Sequence, residues 1–172
     1  MLTTDQKGAI AEMAVAWEAT KLGFEVYRPV FEGGRFDMIF LLGEHLVRIQ
    51  CKWATRQGDV VVVRCYSNRR TRDGLERRLY AAQEIDAFAV YCAELEKCFF
   101  LPYERFPNQA QIFLRLAPSR NNQRELVNWA RDYEFAVTLG PQGAIAQLGE
   151  RRHGMAEVVG SSPTGSTPSS AA

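Results

Sequence analysis

The chain has 172 residues, 47% of them hydrophobic and 24% charged, enough to build one domain around a sizeable core. Its formal net charge of +1 is not the broad excess of a strongly basic nucleic-acid binder, so any such role must rest on local patches. Cys51, Cys65, Cys92 and Cys98 form no CxxC pair and the only histidines are His45 and His153, which argues against a structural zinc site.

Residues 4–22 read as an amphipathic helix. Thr4 or Asp5 can cap it, Ile10, Met13, Ala14 and Trp17 recur at helical spacing, and Gly23 ends it. No apolar run behind a basic stretch marks the N-terminus and none is long enough to span a bilayer, so the expected location is cytoplasmic, with no membrane partner. FEVYRPV, 24–30, alternates like a strand, with Pro29 suggesting an edge. FDMIFLL (36–42) and HLVRIQCKW (45–53) read as two strands joined by Gly43-Glu44, a two-residue hairpin loop. DVVVVRCYS (59–67) is a further β-branched strand, and NRRTRDGLERR after it reads as a cationic loop. IDAFAVYC and KCFFLP give two more strands. Residues 124–133 read as a helix with Leu126, Trp129 and Tyr133 on one face and Asn121 or Asn122 as cap. The tryptophans 17, 53 and 129 read as core. A helix, a mostly antiparallel meander and a terminal helix make an α+β or mixed α/β plan, with no internal repeat.

The domain is expected to occupy 1–139. From 140 to 172 the chain is rich in Gly, Ser, Pro and Thr and reads as a low-complexity, disordered tail. One back-translation of Val159 to Thr164 is GTG GGT TCG AGT CCC ACC, the stem and loop of a tRNA T-arm. Ile145 to Glu150 admits ATA GCT CAG CTT GGT GAG, resembling a D-arm. The expectation is a reading frame that runs on into a tRNA gene; nucleotide sequence that forms no cloverleaf there sinks it.

The hairpin register carries the chemistry. With Gly43-Glu44 as the loop, Leu42 faces His45, and following the register inward sets Asp37 opposite Gln50 on a shared face. Arg48 and Lys52 fall on that face too, while Val47, Ile49, Cys51 and Trp53 form the other, a core face. Spacing alone favours a solvated sheet face; Asp37 across from Gln50, together with the lone Glu12, brings the two readings level. Glu12 is the second anomaly: it is the only charge between Gly8 and Trp17, and burying it unpartnered would be costly. A helix packed through Ala9, Ala16 and Ala19 would bring it against the sheet. Glu12, Asp37, Gln50 and Lys52 together offer oxygen ligands for a hard ion such as magnesium, which could polarise a phosphodiester and acidify water, with Lys52 assisting.

An acid in an opening helix, an Asp at the start of one hairpin strand and a polar-x-Lys on the next resemble the PD-(D/E)XK nuclease superfamily. KGAIAEMAVAWEATKLGFEVYRPVFEGGRFDMI and RIQCKWA, with IDAFAVYC, PSRNNQ and NWARDYEF downstream, resemble its group I intron-associated, homing-type endonucleases over about residues 5 to 135. The resemblance implies a restriction-endonuclease-like core, a mixed central sheet flanked by helices, and magnesium- or manganese-dependent hydrolysis of double-stranded DNA. It makes Asp37 the motif Asp, Glu12 the helix acid, Gln50 the occupant of the second acidic position and Lys52 the motif lysine, with Glu12, Asp37 and Gln50 as metal ligands. Phe36 stands where the motif has proline, and Gln50 offers one charge fewer than an acid. Arg56, Arg69, Arg70, Arg72, Arg77, Arg78, Arg120 and Asn121 become candidate DNA contacts, against the alternatives of a solvated charge run and a helix cap. Cutting both strands implies a dimer or higher homo-oligomer. An inactive DNA-binding module of the same fold and a repair or junction nuclease stay open. Histidine-based HNH or serine triads, a LAGLIDADG helix and a phosphate-cradling Walker loop are absent from the sequence.

Overall fold

A computed structural model describes residues 1–31, 33–72, 74–118 and 127–140. Helix α1, Thr4–Lys21, starts at a capping box in which Thr3 accepts from the Gln6 N–H and Gln6 accepts from the Thr3 N–H. The cap is thus one residue earlier than expected. Gly23, at φ 85, lets the chain leave the helix in the left-handed region. The buried face is a stripe of small residues, Ala11, Val15 and Ala19, at strict four-residue spacing. The expected face is corrected in part: Met13 is 59% and Trp17 65% exposed. Small side chains let the helix lie close to the sheet, and that closeness selects the alanine stripe over the bulky one.

Strands β1 (Glu25–Tyr27), β2 (Met38–Leu42), β3 (His45–Gln57), β4 (Val60–Arg64), β7 (Ala87–Cys92), β8 (Lys97–Pro102) and β9 (Gln111–Arg115) form one seven-stranded sheet. β5 (Tyr66–Thr71) and β6 (Gly74–Leu79) form a separate two-stranded ribbon. The sheet is mixed as expected: β3 and β7 pair in parallel and the other ladders are antiparallel. Gly43, at φ 62, turns the β2–β3 hairpin, and its register is the one read from sequence, with Leu42 paired to His45 and Met38 to Ile49.

β3 organises the molecule. Ile49 pairs with Met38 of β2 on one edge and Ala87 of β7 on the other. Ala54 pairs with Val63 of β4 and Cys92 of β7. β7 therefore lines one edge of β3 from Ile49 to Ala54, while β2 and β4 take the two ends of the other edge. Between them, at Gln50 to Trp53, that edge has no strand partner, and the sheet forks.

Two apolar clusters cover the two faces. Ile49, Cys51, Phe40 and Phe100 pack under Val15 and Ala19 of α1. Ala54, Val61, Val63, Phe88, Val90 and Leu101 pack on the other side with Tyr80, Tyr103 and Tyr133. Alternation puts Gln50 and Lys52 on this second side.

Several expectations are corrected. The strand read at 59–67 breaks at Cys65: β4 stays in the main sheet and β5 leaves it. The cationic loop is the β5–β6 ribbon. β9 was not foreseen, although Gln111–Arg115 alternates between exposed and buried. The helix read over 124–133 is not one across its described part. Val127 and Asn128 are irregular, Trp129 bridges Arg115, and Ala130–Tyr133 is a 3-10 turn that precedes a short helix α2, Phe135–Thr138. Its beginning, residues 124–126, lies outside the described residues. So do residues 141–172, and with them the tail and tRNA-gene expectation. Trp53 and Trp129 are half-buried, unlike Trp17. No helix among the described residues is long and apolar enough to cross a membrane.

Candidate active site

The fork in the sheet is filled by a side chain. Asp37 sits one residue ahead of β2 and donates its own N–H to the Ile49 carbonyl at 2.8 Å, which keeps it in the hairpin register. Its Oδ2 accepts the Cys51 N–H at 2.7 Å, so a carboxylate satisfies the backbone donor that a neighbouring strand would otherwise take. The same oxygen accepts the Gln50 side-chain amide in a very short contact. Gln50 is 7% exposed, one of few buried polar side chains. Burial pushes the Asp37 carboxyl above its usual range; the Cys51 N–H, the Lys52 and Arg28 charges and the Gln50 amide pull it down without cancelling the effect.

Lys52 projects from the same face of β3. Its Nζ donates to the Tyr80 hydroxyl at 2.9 Å and lies 3.4 Å from the Tyr66 carbonyl oxygen. Glu12 approaches from the α1 side. It pairs with Arg28 at 3.1 Å, with a third of its side chain exposed. The Arg28 charge also acts on Asp37, and both carboxylates act on the Cys51 thiol, so Glu12 borders the fork from the opposite layer. Asp37 and Gln50 thus touch, Lys52 stands beside them, and Glu12 is paired with Arg28 on the helix side.

The other cation of that strand face is accounted for differently. Arg48 is bound by Asp86 through its backbone N–H, Nε and one terminal nitrogen, at 2.8 to 2.9 Å, and also donates to the Gln83 and Ala82 carbonyls. It locks the segment after the ribbon onto β3. Arg28, Tyr80 and Asp86 were missed from sequence because each meets the motif only through the tertiary fold. An arginine after the edge strand was the one local signal.

Among the described residues no group of three or more His, Cys, Asp or Glu gathers as a cluster. Magnesium needs none: it keeps several waters and is commonly held by one or two carboxylates plus substrate phosphates. Asp37 is a carboxylate whose burial its neighbours do not offset, which a cation would relieve. Turning the Gln50 amide end for end would present its oxygen to the same point. The residues fit a hard divalent ion.

Of the DNA candidates, Arg72, Arg77 and Arg78 are exposed on the ribbon, where Arg69 and Arg70 also lie; the side chains of the latter two are outside the described set. The Arg77 guanidinium sits 4.3 Å from the Tyr66 ring centroid, and Arg78 pairs with Glu84 at 2.5 Å. Arg56 is exposed near the end of β3, with Nε 2.8 Å from the Gly58 carbonyl. Arg120 and Asn121 lie outside the described residues.

The family model described as PD-(D/E)XK endonuclease matches residues 2–136. Among solved structures, that of a bacterial homing endonuclease, I-Ssp6803I, is similar at 24% identity with a TM-score of 0.69, over 88% of this chain and 99% of that one. No curated protein matches the chain.

Proposed function

Because the chain belongs to the PD-(D/E)XK endonuclease family, we propose that it is a metal-dependent, sequence-specific DNA endonuclease of homing type. The observation that carries this reading is the Asp37–Gln50 contact in the sheet fork with Lys52 beside it. Likeness in fold to a bacterial homing endonuclease supports the homing part.

Asp37 and Gln50 would hold magnesium or manganese, with Glu12 as the further acid on the helix side. Such an ion supplies polarisation of the phosphodiester and acidifies water at neutral pH. Lys52 contributes a compact charge next to this point, suited to offset charge developing on the phosphate oxygens. Gln50 keeps the site one negative charge poorer than a pair of acids. The ribbon's exposed arginines supply phosphate contacts that a chain of net charge +1 cannot supply globally. One such site cuts one strand, so a double-strand break requires a homo-oligomer, at least a dimer.

The test uses purified protein, magnesium and a plasmid carrying the DNA that flanks its gene, joined without the intervening element. Wild type should cut at a defined site, and Asp37→Ala or Lys52→Ala should lose about 100-fold or more in rate. Salt-sensitive binding without cutting would favour the inactive binding module, for which Gln50 is the one argument. Preference for a branched over a linear substrate would favour a repair or junction nuclease.

A further inference from the structure

Lys52 is held by a part of the fold that lies outside the motif hairpin. Its two partners flank the ribbon: Tyr66 opens β5, and Tyr80 directly follows β6. A lysine stem is flexible and its ammonium has no preferred direction of its own. What directs it here is the Tyr80 hydroxyl at 2.9 Å, with the Tyr80 ring centroid 4.8 Å from the same nitrogen.

Tyr80 is itself fixed on several sides. It is 4% exposed. Its ring meets Phe88 edge-on at 5.4 Å, and its carbonyl accepts the Tyr103 hydroxyl at 2.8 Å. The Arg35 guanidinium lies 4.1 Å from the ring centroid. Arg35 also spans the ribbon base, donating to Ser67 Oγ at 2.9 Å and the Leu79 carbonyl at 2.8 Å, and pairing with Glu84 at 3.0 Å. Packing alone would be served by phenylalanine. The hydroxyl, buried and aimed at the motif lysine, is the unexplained group.

We propose that Tyr80 is a positioning residue: its hydroxyl fixes the Lys52 ammonium at the sheet fork, and the ribbon base fixes Tyr80. This rests on Lys52 serving the nuclease reaction. It makes the ribbon more than a DNA-contact arm, since the element that would meet the duplex is bracketed by both anchors of the lysine.

The test is Tyr80→Phe, which keeps the ring and removes one oxygen. Single-turnover cleavage should slow about tenfold, as for loss of one hydrogen bond to a charged group, while DNA and magnesium affinities stay within about twofold. Protein labelled with carbon-13 at the lysine ε position gives a readout independent of cutting. The Lys52 resonance, assigned by its loss in Lys52→Gln, should move in Tyr80→Phe towards the position of exposed lysines. An unmoved resonance overturns the proposal, as does a moved resonance with an unchanged cleavage rate. If wild type cuts no DNA, the nuclease reading falls, and the resonance alone then supports or overturns the placement of Lys52 by Tyr80.

Discussion

Asp37 combines two demands in one side chain. It caps a gap in the ladder by accepting the Cys51 N–H, and it is buried enough that its carboxyl titrates above the usual range. A carboxyl raised in the folded state favours folding when protonated and disfavours it when ionised. The ionised Asp37 therefore costs stability from the upper carboxylate range through neutral pH, and the cost disappears as pH falls below the value of the unfolded chain. Asp37→Asn should melt higher than wild type at neutral pH, with the gap closing in acid; thermal melts across pH check this. Gln50 gives a complementary test. Gln50→Glu replaces the amide donor with a second acceptor opposite Asp37, so the metal-free protein should melt lower. Magnesium should then raise its melting temperature more than it does for wild type, because ligand binding adds to native stability. An equal magnesium response in both proteins would remove Gln50 from the ligand set. Of these residues, the Asp37–Gln50 opposition was legible from a two-residue turn and a period of two. The pairing of Glu12 with Arg28 was not, since nothing local links a helix residue to a loop cation.

The β5–β6 ribbon stands apart from the main sheet and hangs on few contacts, with Glu84 at their centre. Burial pushes the Glu84 carboxyl up, but the hydrogen bonds from Arg35 and the Ala81 N–H and the charges of Arg35 and Arg78 outweigh it and hold it below its usual range. A depressed carboxyl contributes stability above the unfolded-state value and loses it as pH falls through the folded one. The ribbon base should accordingly loosen in acid. Glu84→Gln should loosen it at neutral pH by about 1 kcal/mol, letting the backbone at Arg77 and Arg78 unpair and become open to limited tryptic cleavage that wild type resists. The ribbon was misread as a loop because its arginines hide the alternation that marks a strand. The segment at 127–133 was misread the other way. Its apolar spacing is helical, yet the Asn128 carbonyl is taken by the Arg115 N–H at 2.8 Å, and pairing to β9 overrides the local pattern. The β2–β3 hairpin was read correctly because its glycine turn and its alternation agree.

At the scale of the whole chain, the four cysteines lie buried and unpaired in the two apolar clusters. Burial pushes the thiols of Cys65 and Cys98 up to about 12 and that of Cys92 to about 11, and raises Cys51 well above the ordinary value. Since the thiolate is the reactive form, a thiol-specific colorimetric reagent should label none of them in the native protein and all of them in denaturant. Composition, turn residues and periodicity by themselves determined a mixed α/β domain, the opening helix, the hairpin register and the order in which acid, acid, amide and lysine occur. These follow from interactions between near neighbours along the chain. Only the tertiary structure decided that the sheet forks between Gln50 and Trp53, that Arg28 pairs with Glu12, and that a tyrosine beyond the ribbon holds Lys52. Each joins residues at least 14 positions apart in sequence. Their meeting depends on how helix, sheet and ribbon pack together, which no local pattern encodes.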